Sequence, residues 1–524
     1  MWVLEMGGRC VQNREECAMR KSAVALLILG YLCWCAGCGG GSGGGGGGES
    51  SSSTPSTPLT TNEWTWISGS STVVEQNGAF VGMPGVYGTL GTPTTGNVPG
   101  GRNHAVTWSD ERGNLWLFGG SGLDSTGTAG WLNDLWEFNP STREWAWMGG
   151  SSTLTDEGQG FYGTPGVYGT LGTAAAGNVP GGRYSATSWT DSSGNFWLFG
   201  GQGFDSTGPN GLNNLGYLND LWEFNPSTGE WAWMGGSSTV GFYYSGPPGV
   251  YGTLGTPAPG NVPGGRSDAS SWTDRSGNLW LFGGIGIGST APPYGGGKWL
   301  NDLWEFNPST REWAWMSGGS TGQSAVYGAL GTPAPGNVPG ARSDASSWTD
   351  RSGNLWLFGG NGSDSTGTWG YLNDLWEFSP STREWAWMGG SSKVGQSGVY
   401  GTLGTPAAVN VPGARESASS WTDSSGNFWL FGGDTGSAQG PVFNDLWEFN
   451  PSTKEWAWMS GSSTIDLAGV YGTLGTPAPG NVPGGRTAAS TWTDSRGNLW
   501  LFGGYGADSS GKLTYLNDLW EYQF

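Results

Sequence analysis

The residues of this chain best suited to chemistry lie directly after a repeated arginine, at six places with near-identical surroundings. The residue pairs at these places are Asn103-His104, Tyr184-Ser185, Ser267-Asp268, Ser343-Asp344, Glu416-Ser417 and Thr487-Ala488. If they line one opening of a central channel, the candidate binding residues are Asn103, His104, Tyr184, Asp268, Asp344 and Glu416. Carboxylate oxygens suit Ca²⁺, so Asp268 and Asp344, helped by His104 and Glu416, could hold this cation. Solvated polar groups without a metal or cofactor are the default expectation.

The arginines that precede these pairs allow two interpretations. They could surround the opening and bind an anion, or they could pair with acidic residues such as Asp134 or Asp220 and stabilise the fold. We expect the structural role. The residues concerned are Arg102, Arg183, Arg266, Arg342, Arg415 and Arg486.

Short strands must position these residues, because each arginine opens a unit of roughly 70 to 80 residues that recurs along the chain. In one unit we predict a first strand from Arg183 to Asp191 and a second from Phe196 to Phe199. The second run is apolar at every position, which is typical of a strand buried on both faces. A third strand from Leu218 to Phe224 and a fourth from Glu230 to Met234 flank an Asn-Pro-Ser-Thr turn.

These units resemble the kelch repeat. The shared features are Gly-Arg before the first strand, Phe-Gly-Gly after the second, Asn-Asp-Leu-Trp on the third and Trp on the fourth. The resemblance implies an all-β, six-bladed β-propeller over residues 63–524, with four antiparallel strands in each blade. Glu63-Trp64-Thr65-Trp66 resembles a fourth strand, and Leu516 to Tyr522 resembles a third. We therefore expect the N-terminal strand to complete the last blade and close the ring.

Kelch propellers include the central domain of galactose oxidase, whose copper chemistry needs two histidines, two tyrosines and a crosslinked cysteine. This chain has one histidine, His104, and all five cysteines precede residue 39. The ligand count therefore excludes that activity. A Ser-His or Cys-His hydrolase would depend on His104, and no partner for it is marked in the sequence.

Two connectors in each unit vary in length, whereas the remaining turns are constant. They join the second strand to the third and the fourth strand to the next unit, so in an up-and-down blade both emerge on one face. Because variable loops on a rigid scaffold carry function, we predict the binding surface there. The second connector includes a repeated tyrosine that is either a packing anchor or a recognition residue, at Tyr87, Tyr168, Tyr251, Tyr327, Tyr400 and Tyr471.

Residues 1–38 have the pattern of an export leader. Met19-Arg20-Lys21 precedes an apolar run from Ala23 to Cys33, and the following Ala36-Gly37-Cys38 resembles a bacterial lipobox. The resemblance implies that Cys38 is lipidated, that Met19 is the true start, and that the protein is anchored at the outer membrane or cell surface. A plain secretory signal is the alternative. Residues 39–62 are rich in Gly, Ser, Thr and Pro, which predicts a flexible tether.

The net charge of −20 excludes nucleic acid as a partner, because nucleic-acid binding requires a basic surface. The sequence therefore favours a non-catalytic, monomeric propeller that binds a protein or a glycan outside the cytoplasm and touches the membrane only through its lipid. An extracellular carbohydrate-active enzyme using His104 and the acidic residues is one alternative. A structural surface protein is the other.

Overall fold

The computed structural model describes residues 62–76, 79–156, 160–207, 214–241, 244–291, 296–436 and 441–524. The predicted leader, the predicted lipidation site Cys38 and the predicted tether up to residue 61 lie outside the described residues. All regular structure in the described ranges is β-strand. None of those ranges contains a helix of the length and apolarity needed to cross a membrane.

Antiparallel sheets with four main strands repeat along the chain, and we number them 1 to 6 in chain order. Sheet 1 contains Val106–Ser109, Leu115–Leu123, Ala129–Asn139 and Glu144–Gly149, and Arg102–Asn103 also pairs with its second strand. Sheet 2 contains Thr187–Thr190, Phe196–Phe199, Leu221–Asn225 and Glu230–Gly235, and sheet 3 contains Ser270–Thr273, Leu279–Phe282, Leu303–Asn307 and Glu312–Ser317. Sheet 4 contains Ser346–Thr349, Leu355–Phe358, Leu375–Ser379 and Glu384–Gly389, and sheet 5 contains Ser419–Thr422, Phe428–Phe431, Leu446–Asn450 and Glu455–Ser460. Sheet 6 contains Ser490–Thr493, Leu499–Phe502, Leu519–Gln523 and Glu63–Ser68.

Smaller sheets form within the connectors. Three-stranded sheets comprise Arg183–Tyr184, Gln202–Phe204 and Leu215–Tyr217; Arg266–Ser267, Ile285–Gly286 and Lys298–Trp299; Arg342–Ser343, Asn361–Ser363 and Trp369–Tyr371; and Arg486–Thr487, Tyr505–Ala507 and Leu513–Tyr515. Two-stranded sheets comprise Val74–Gln76 with Ala79–Val81 and Thr155–Asp156 with Tyr162–Gly163. The connectors of the predicted binding face are therefore partly ordered by strand pairing.

Local sequence explains where the main strands end. The second strand Phe196–Phe199 is buried at every position, as its continuous apolar run predicts. The double glycine ends it because both residues take positive φ, 64° at Gly200 and 93° at Gly201. A Cβ at Gly200 would lie 2.8 Å from the carbonyl oxygen of Arg266, so no larger residue fits there.

The predicted first strand, Arg183 to Asp191, is wrong as one element. The structure has two strands, Arg183–Tyr184 and Thr187–Thr190, because Ser185 takes a φ of 53° and its N–H leaves the ladder. The third strand also begins later than predicted, at Leu221, and runs to Asn225. Before Leu221 the backbone instead bonds to the two glycines of positive φ, through Leu218 N–H to Gly201 O at 2.9 Å and Gly200 N–H to Asp220 O at 3.1 Å, so the regular ladder is interrupted.

Aromatic residues hold neighbouring sheets together. Each buried cluster combines side chains from two adjacent sheets, and tryptophan supplies much of the apolar area. The indole N–H of each first-strand tryptophan donates to a second-strand carbonyl of the next sheet at 2.9–3.3 Å. The series of donors is Trp108, Trp189, Trp272, Trp348, Trp421 and Trp492, and the last of these donates back to Trp116 of sheet 1.

The N-terminal strand completes sheet 6 from the opposite end of the chain. Glu63–Ser68 pairs antiparallel with Leu519–Gln523, and Trp64 is 1% exposed against aromatic rings of sheets 5 and 6. The architecture is thus an all-β array of repeated four-stranded antiparallel sheets with repeated aromatic clusters, which is consistent with a β-propeller.

Candidate functional site

The first strands of all six sheets line one cavity of about 490 Å³. Each contributes the same pattern, a tryptophan between two hydroxyl residues, and the tryptophans are 3–4% exposed. The hydroxyls bond to backbone carbonyls of the neighbouring sheet, for example Thr107 Oγ1 to Thr491 O at 2.9 Å. This wall is uncharged and nearly identical in every copy, so it offers little to select a ligand.

A second cavity of about 190 Å³ is lined by the residues that immediately precede the first strand of each sheet, and we call it the mouth. The residues that define it are His104, Ser185, Asp268, Asp344, Ser417 and Ala488, each followed by an alanine that also lines it. All six take φ values between 51° and 59°, a conformation that strains most side chains. Each donates its N–H to the carbonyl of the equivalent residue of a neighbouring sheet at 2.8–3.0 Å, and the series returns to its start.

Three of the predicted residues converge in the mouth. His104 Nε2 lies 3.6 Å from Asp344 Oδ1, and the ligand atoms of His104, Asp268 and Asp344 all lie within 4.8 Å of one another. These residues come from sheets 1, 3 and 4, so only the assembled fold brings them together. Their shared backbone kink directs the side chains into one cavity.

The other predicted residues lie around this group. Tyr184 places its ring 6.0 Å from that of His104, and its hydroxyl donates to Gln202. Glu416 lies on the connector side and pairs through its backbone with Asp434. Neither Tyr184 nor Glu416 lines the mouth itself, and Asn103 does not line it either. The buried Oδ1 of Asn103 has no hydrogen-bond partner among the described residues.

Asp434 is a site residue that sequence reasoning missed. It follows Gly432-Gly433, and strand pairing places this position opposite the residue after the arginine, as in Tyr184 with Gln202. The same position varies in every repeat, through Ser121, Gln202, Ile285, Asn361, Asp434 and Tyr505. This variation was a visible signal, because most neighbouring positions are nearly constant.

The charges in the mouth perturb one another. Burial and the charge of Asp344 raise the pKa of Asp268 to about 7. Burial, with the charges of Asp344 and Asp434, raises the pKa of Glu416 to about 9. Burial disfavours a protonated His104, but the neighbouring carboxylates of Asp344, Asp268 and Asp434 outweigh it and raise its pKa. The mouth therefore holds more negative charge than it can solvate, which favours a cation or a hydrogen-bond donor as ligand.

Replacing Glu416 with glutamine is expected to stabilise the protein increasingly as the pH rises. The unfolded state loses the Glu416 proton above about pH 4.5, whereas the folded state keeps it until about pH 9, near Asp268, Asp344, Asp434 and Tyr371. Native Glu416 therefore lowers stability across this window. Between pH 4 and pH 8 the variant should gain roughly 1–3 kcal/mol over the native chain in denaturant unfolding with chelator present. A constant difference across this range would contradict the expectation, and Glu111→Gln on an exposed turn is the control.

The arginines lie behind the mouth and are buried. Each guanidinium is at most 1% exposed and binds both oxygens of an aspartate at 2.7–2.8 Å. One oxygen of that aspartate also accepts a tyrosine hydroxyl at 2.6–2.7 Å and an indole N–H at 2.7 Å. The arginine, aspartate and tyrosine sets are Arg102, Asp134, Tyr87; Arg183, Asp220, Tyr168; Arg266, Asp302, Tyr251; Arg342, Asp374, Tyr327; Arg415, Asp445, Tyr400; and Arg486, Asp518, Tyr471. The repeated arginines and the repeated tyrosines therefore bond to buried aspartates within the fold.

Aromatic residues from the variable connectors flank the mouth. Trp131 lies 5.3 Å from the ring of Tyr184, which itself contacts His104. In the connector sheet that contains Trp369–Tyr371, Tyr371 lies near Glu416, and Trp369 projects from the same face of this strand because it is two residues away. Trp369 is 50% exposed, although it packs against Trp299 at 5.0 Å. An acidic centre is therefore bordered by partly exposed rings.

The chain matches no protein-family model, and no curated protein sequence is significantly similar to it.

Proposed function

We propose that residues 63–524 form a six-bladed kelch-type β-propeller, closed by the N-terminal strand, that binds glycans at the mouth without catalysis. Six four-stranded sheets and the two series of hydrogen bonds that return to sheet 1 support this architecture. The leader would export the protein, and a lipid on Cys38 would hold it at the outer membrane or cell surface. The domain then faces the extracellular medium, where glycans are available.

The observation that carries the proposal is where the repeats differ. Most wall positions are the same in every copy, but the positions at the mouth carry histidine, serine, aspartate or alanine. If the mouth positions had only a structural role, one residue type could serve in every repeat, as the same pattern does along the larger cavity. The differences instead produce one asymmetric site on the face that also carries the variable connectors.

The chemistry of this face suits a sugar. Carboxylates such as Asp344 and Glu416 accept hydrogen bonds from hydroxyl groups, and aromatic rings such as Trp369 and Tyr184 offer apolar faces for the C–H surface of a pyranose. Ligand sites commonly combine aromatic lining with a few placed polar groups. A basic protein segment would bind the carboxylates but would not use the faces of the aromatic rings, so we favour a glycan as the ligand.

Replacing Trp369 with alanine is expected to weaken glycan binding by about tenfold, since an aromatic contact contributes about 0.5–1.5 kcal/mol beyond its buried area. Binding would be measured on a glycan array and then by calorimetry with the best glycan. The matched control is Leu330→Ala, because Leu330 is 59% exposed but lies beside the fourth strand of sheet 4, where Gly331 N–H donates to Trp387 O at 2.7 Å. A blank array with folded protein, or equal effects of the two substitutions, would refute glycan binding at this face.

A second candidate function is glycoside hydrolysis, which one observation favours. Glu416 and Asp434 are paired residues on adjacent segments, and besides burial the charge of Asp434 raises the pKa of Glu416, so their carboxyl groups interact. Retaining glycosidases hold two carboxyl groups about 5–5.5 Å apart. Release of reducing sugar from a bound glycan, abolished by Asp434→Asn but not by Glu111→Gln, would establish the enzyme. Binding without release supports the non-catalytic assignment.

A further inference from the structure

We propose that His104, Asp268 and Asp344 bind one divalent first-row transition-metal ion in the mouth. This proposal is separate from glycan binding, because binding of the metal ion is measured with no glycan present. The ion would lie in the 190 Å³ cavity, among residues from three different sheets. It would neutralise carboxylates that the fold otherwise crowds together.

The spacing of the three side chains fits one ion. Their ligand atoms lie within 4.8 Å of one another, and His104 Nε2 is 3.6 Å from Asp344 Oδ1. Nitrogen and carboxylate ligands bind such ions at about 2.0–2.2 Å, so two ligands on opposite sides of an ion are about 4–4.4 Å apart. Small rotations about the side-chain bonds would therefore bring all three into coordination.

A buried hydroxyl in the same cavity points independently to a ligand. Ser185 is 7% exposed and lines the mouth, and its Oγ has no hydrogen-bond partner among the described residues. It lies beside the Asp268 carboxylate, but not in hydrogen-bonding geometry. Leaving a buried hydroxyl unsatisfied costs about 1–3 kcal/mol. A metal-bound water would supply its missing partner.

Neighbouring groups orient the proposed ligands. Ser267 Oγ donates to Asp268 Oδ2 at 2.7 Å, and Ser417 Oγ donates to Asp344 Oδ1 at 3.0 Å. Such outer hydrogen bonds fix carboxylate ligands and are a regular part of metal sites. The backbone is also fixed, since the N–H of Asp344 donates to the carbonyl of Asp268 at 3.0 Å.

The ligand set favours a transition metal over Ca²⁺, the cation that the sequence analysis considered beside the default of no metal. Ca²⁺ takes six to eight oxygen ligands, whereas imidazole suits later first-row ions, and Mn²⁺ accepts carboxylates readily. The side chains of His104 and Asp344 are 26% and 15% exposed, so the ion would remain open to water or to a ligand hydroxyl. Three protein ligands with open positions are typical of functional rather than purely structural sites.

The test titrates the full chain, stripped with chelator, with Mn²⁺ and follows the free-ion signal by electron paramagnetic resonance. Mn²⁺ is the probe because thiolates prefer softer ions, so the five cysteines of the leader should not compete. We expect one ion per chain and a loss of about 100-fold in affinity in Asp268→Asn or Asp344→Asn. The control Glu111→Gln removes a carboxylate from an exposed turn outside the mouth, and should change affinity by less than about twofold.

Two further measurements make the result decisive. Mn²⁺ should raise the thermal midpoint of the native chain but not of Asp344→Asn. His104→Ala should shift the preference from Mn²⁺ toward Ca²⁺ by about tenfold, because only oxygen ligands remain. No loss of free-ion signal at millimolar chain, equal effects of Glu111→Gln and Asp344→Asn, or Ca²⁺ displacing Mn²⁺ at equal concentration would each overturn the proposal. Glycan binding is scored separately, so either proposal can fail alone.

Discussion

Deleting residues 1–69 is expected to lower the free energy of unfolding by more than about 5 kcal/mol and to leave the protein prone to aggregation. The deletion removes Glu63–Ser68, so Leu519–Gln523 becomes an unpaired edge of sheet 6. It also removes Trp64, whose ring lies 5.5 Å from Phe431 and 5.1 Å from Tyr522. Chemical denaturation and light scattering would measure the two effects.

Two variants calibrate this deletion. Removing only residues 1–61 keeps the strand and should leave the thermal midpoint unchanged, because the described contacts of sheet 6 begin at Asn62. Replacing Trp64 with alanine should cost about 3–5 kcal/mol, the usual range for a buried tryptophan. If the chain lacking residues 1–69 unfolded like the chain lacking residues 1–61, the N-terminal strand would have no role in stability.

Replacing Asp302 with alanine is expected to destabilise the protein by about 3–5 kcal/mol, because the fully buried Arg266 would lose its counter-charge. Asp302 also accepts hydrogen bonds from Tyr251 and Trp304, at 2.6 and 2.7 Å, and these donors would lose their partner too. Denaturant unfolding at neutral pH would measure the change. The repeated arrangement predicts a similar loss at Asp134 or Asp374.

Graded controls separate the ion pair from the hydrogen bonds. Tyr251→Phe removes one donor but keeps the pair, so we expect a loss of about 0.5–1.5 kcal/mol. Glu111→Gln on an exposed turn should change stability by less than about 0.5 kcal/mol. A loss at Asp302 no larger than that at Tyr251 would show that the buried pair contributes nothing beyond its neutral hydrogen bonds.

The arrangement also explains how a site can differ within a repeated scaffold. The buried arginine, aspartate and tyrosine sets are the same in every unit and hold the kinked segment in place. The backbone of the kinked residue makes these bonds, so its side chain is free to vary, as His104 and Ala488 illustrate. Affinity can therefore be changed at the mouth without disturbing the sheets.

Residues that are neighbours along the chain are sufficient to predict much of the local structure. The continuous apolar run Phe196–Phe199, the Asn-Pro-Ser-Thr turn and the double glycine predict strand, turn and strand end, because each depends on neighbouring residues only. The recurrence of these signals also identified an all-β array of repeated sheets. The positions that vary between repeats predicted His104, Asp268 and Asp344 as candidate binding residues.

Which of those residues lie close together depends on how the sheets pack against one another. The left-handed kink at Ser185 has no local signal, because hydrogen bonds between sheets stabilise it. Asp434 lies beside Glu416 through a strand pairing across a connector, and His104 approaches Asp344 from a segment 240 positions away in the chain. Such distances arise from the packing of whole sheets, and local patterns of hydrophobicity and turn residues carry no information about them.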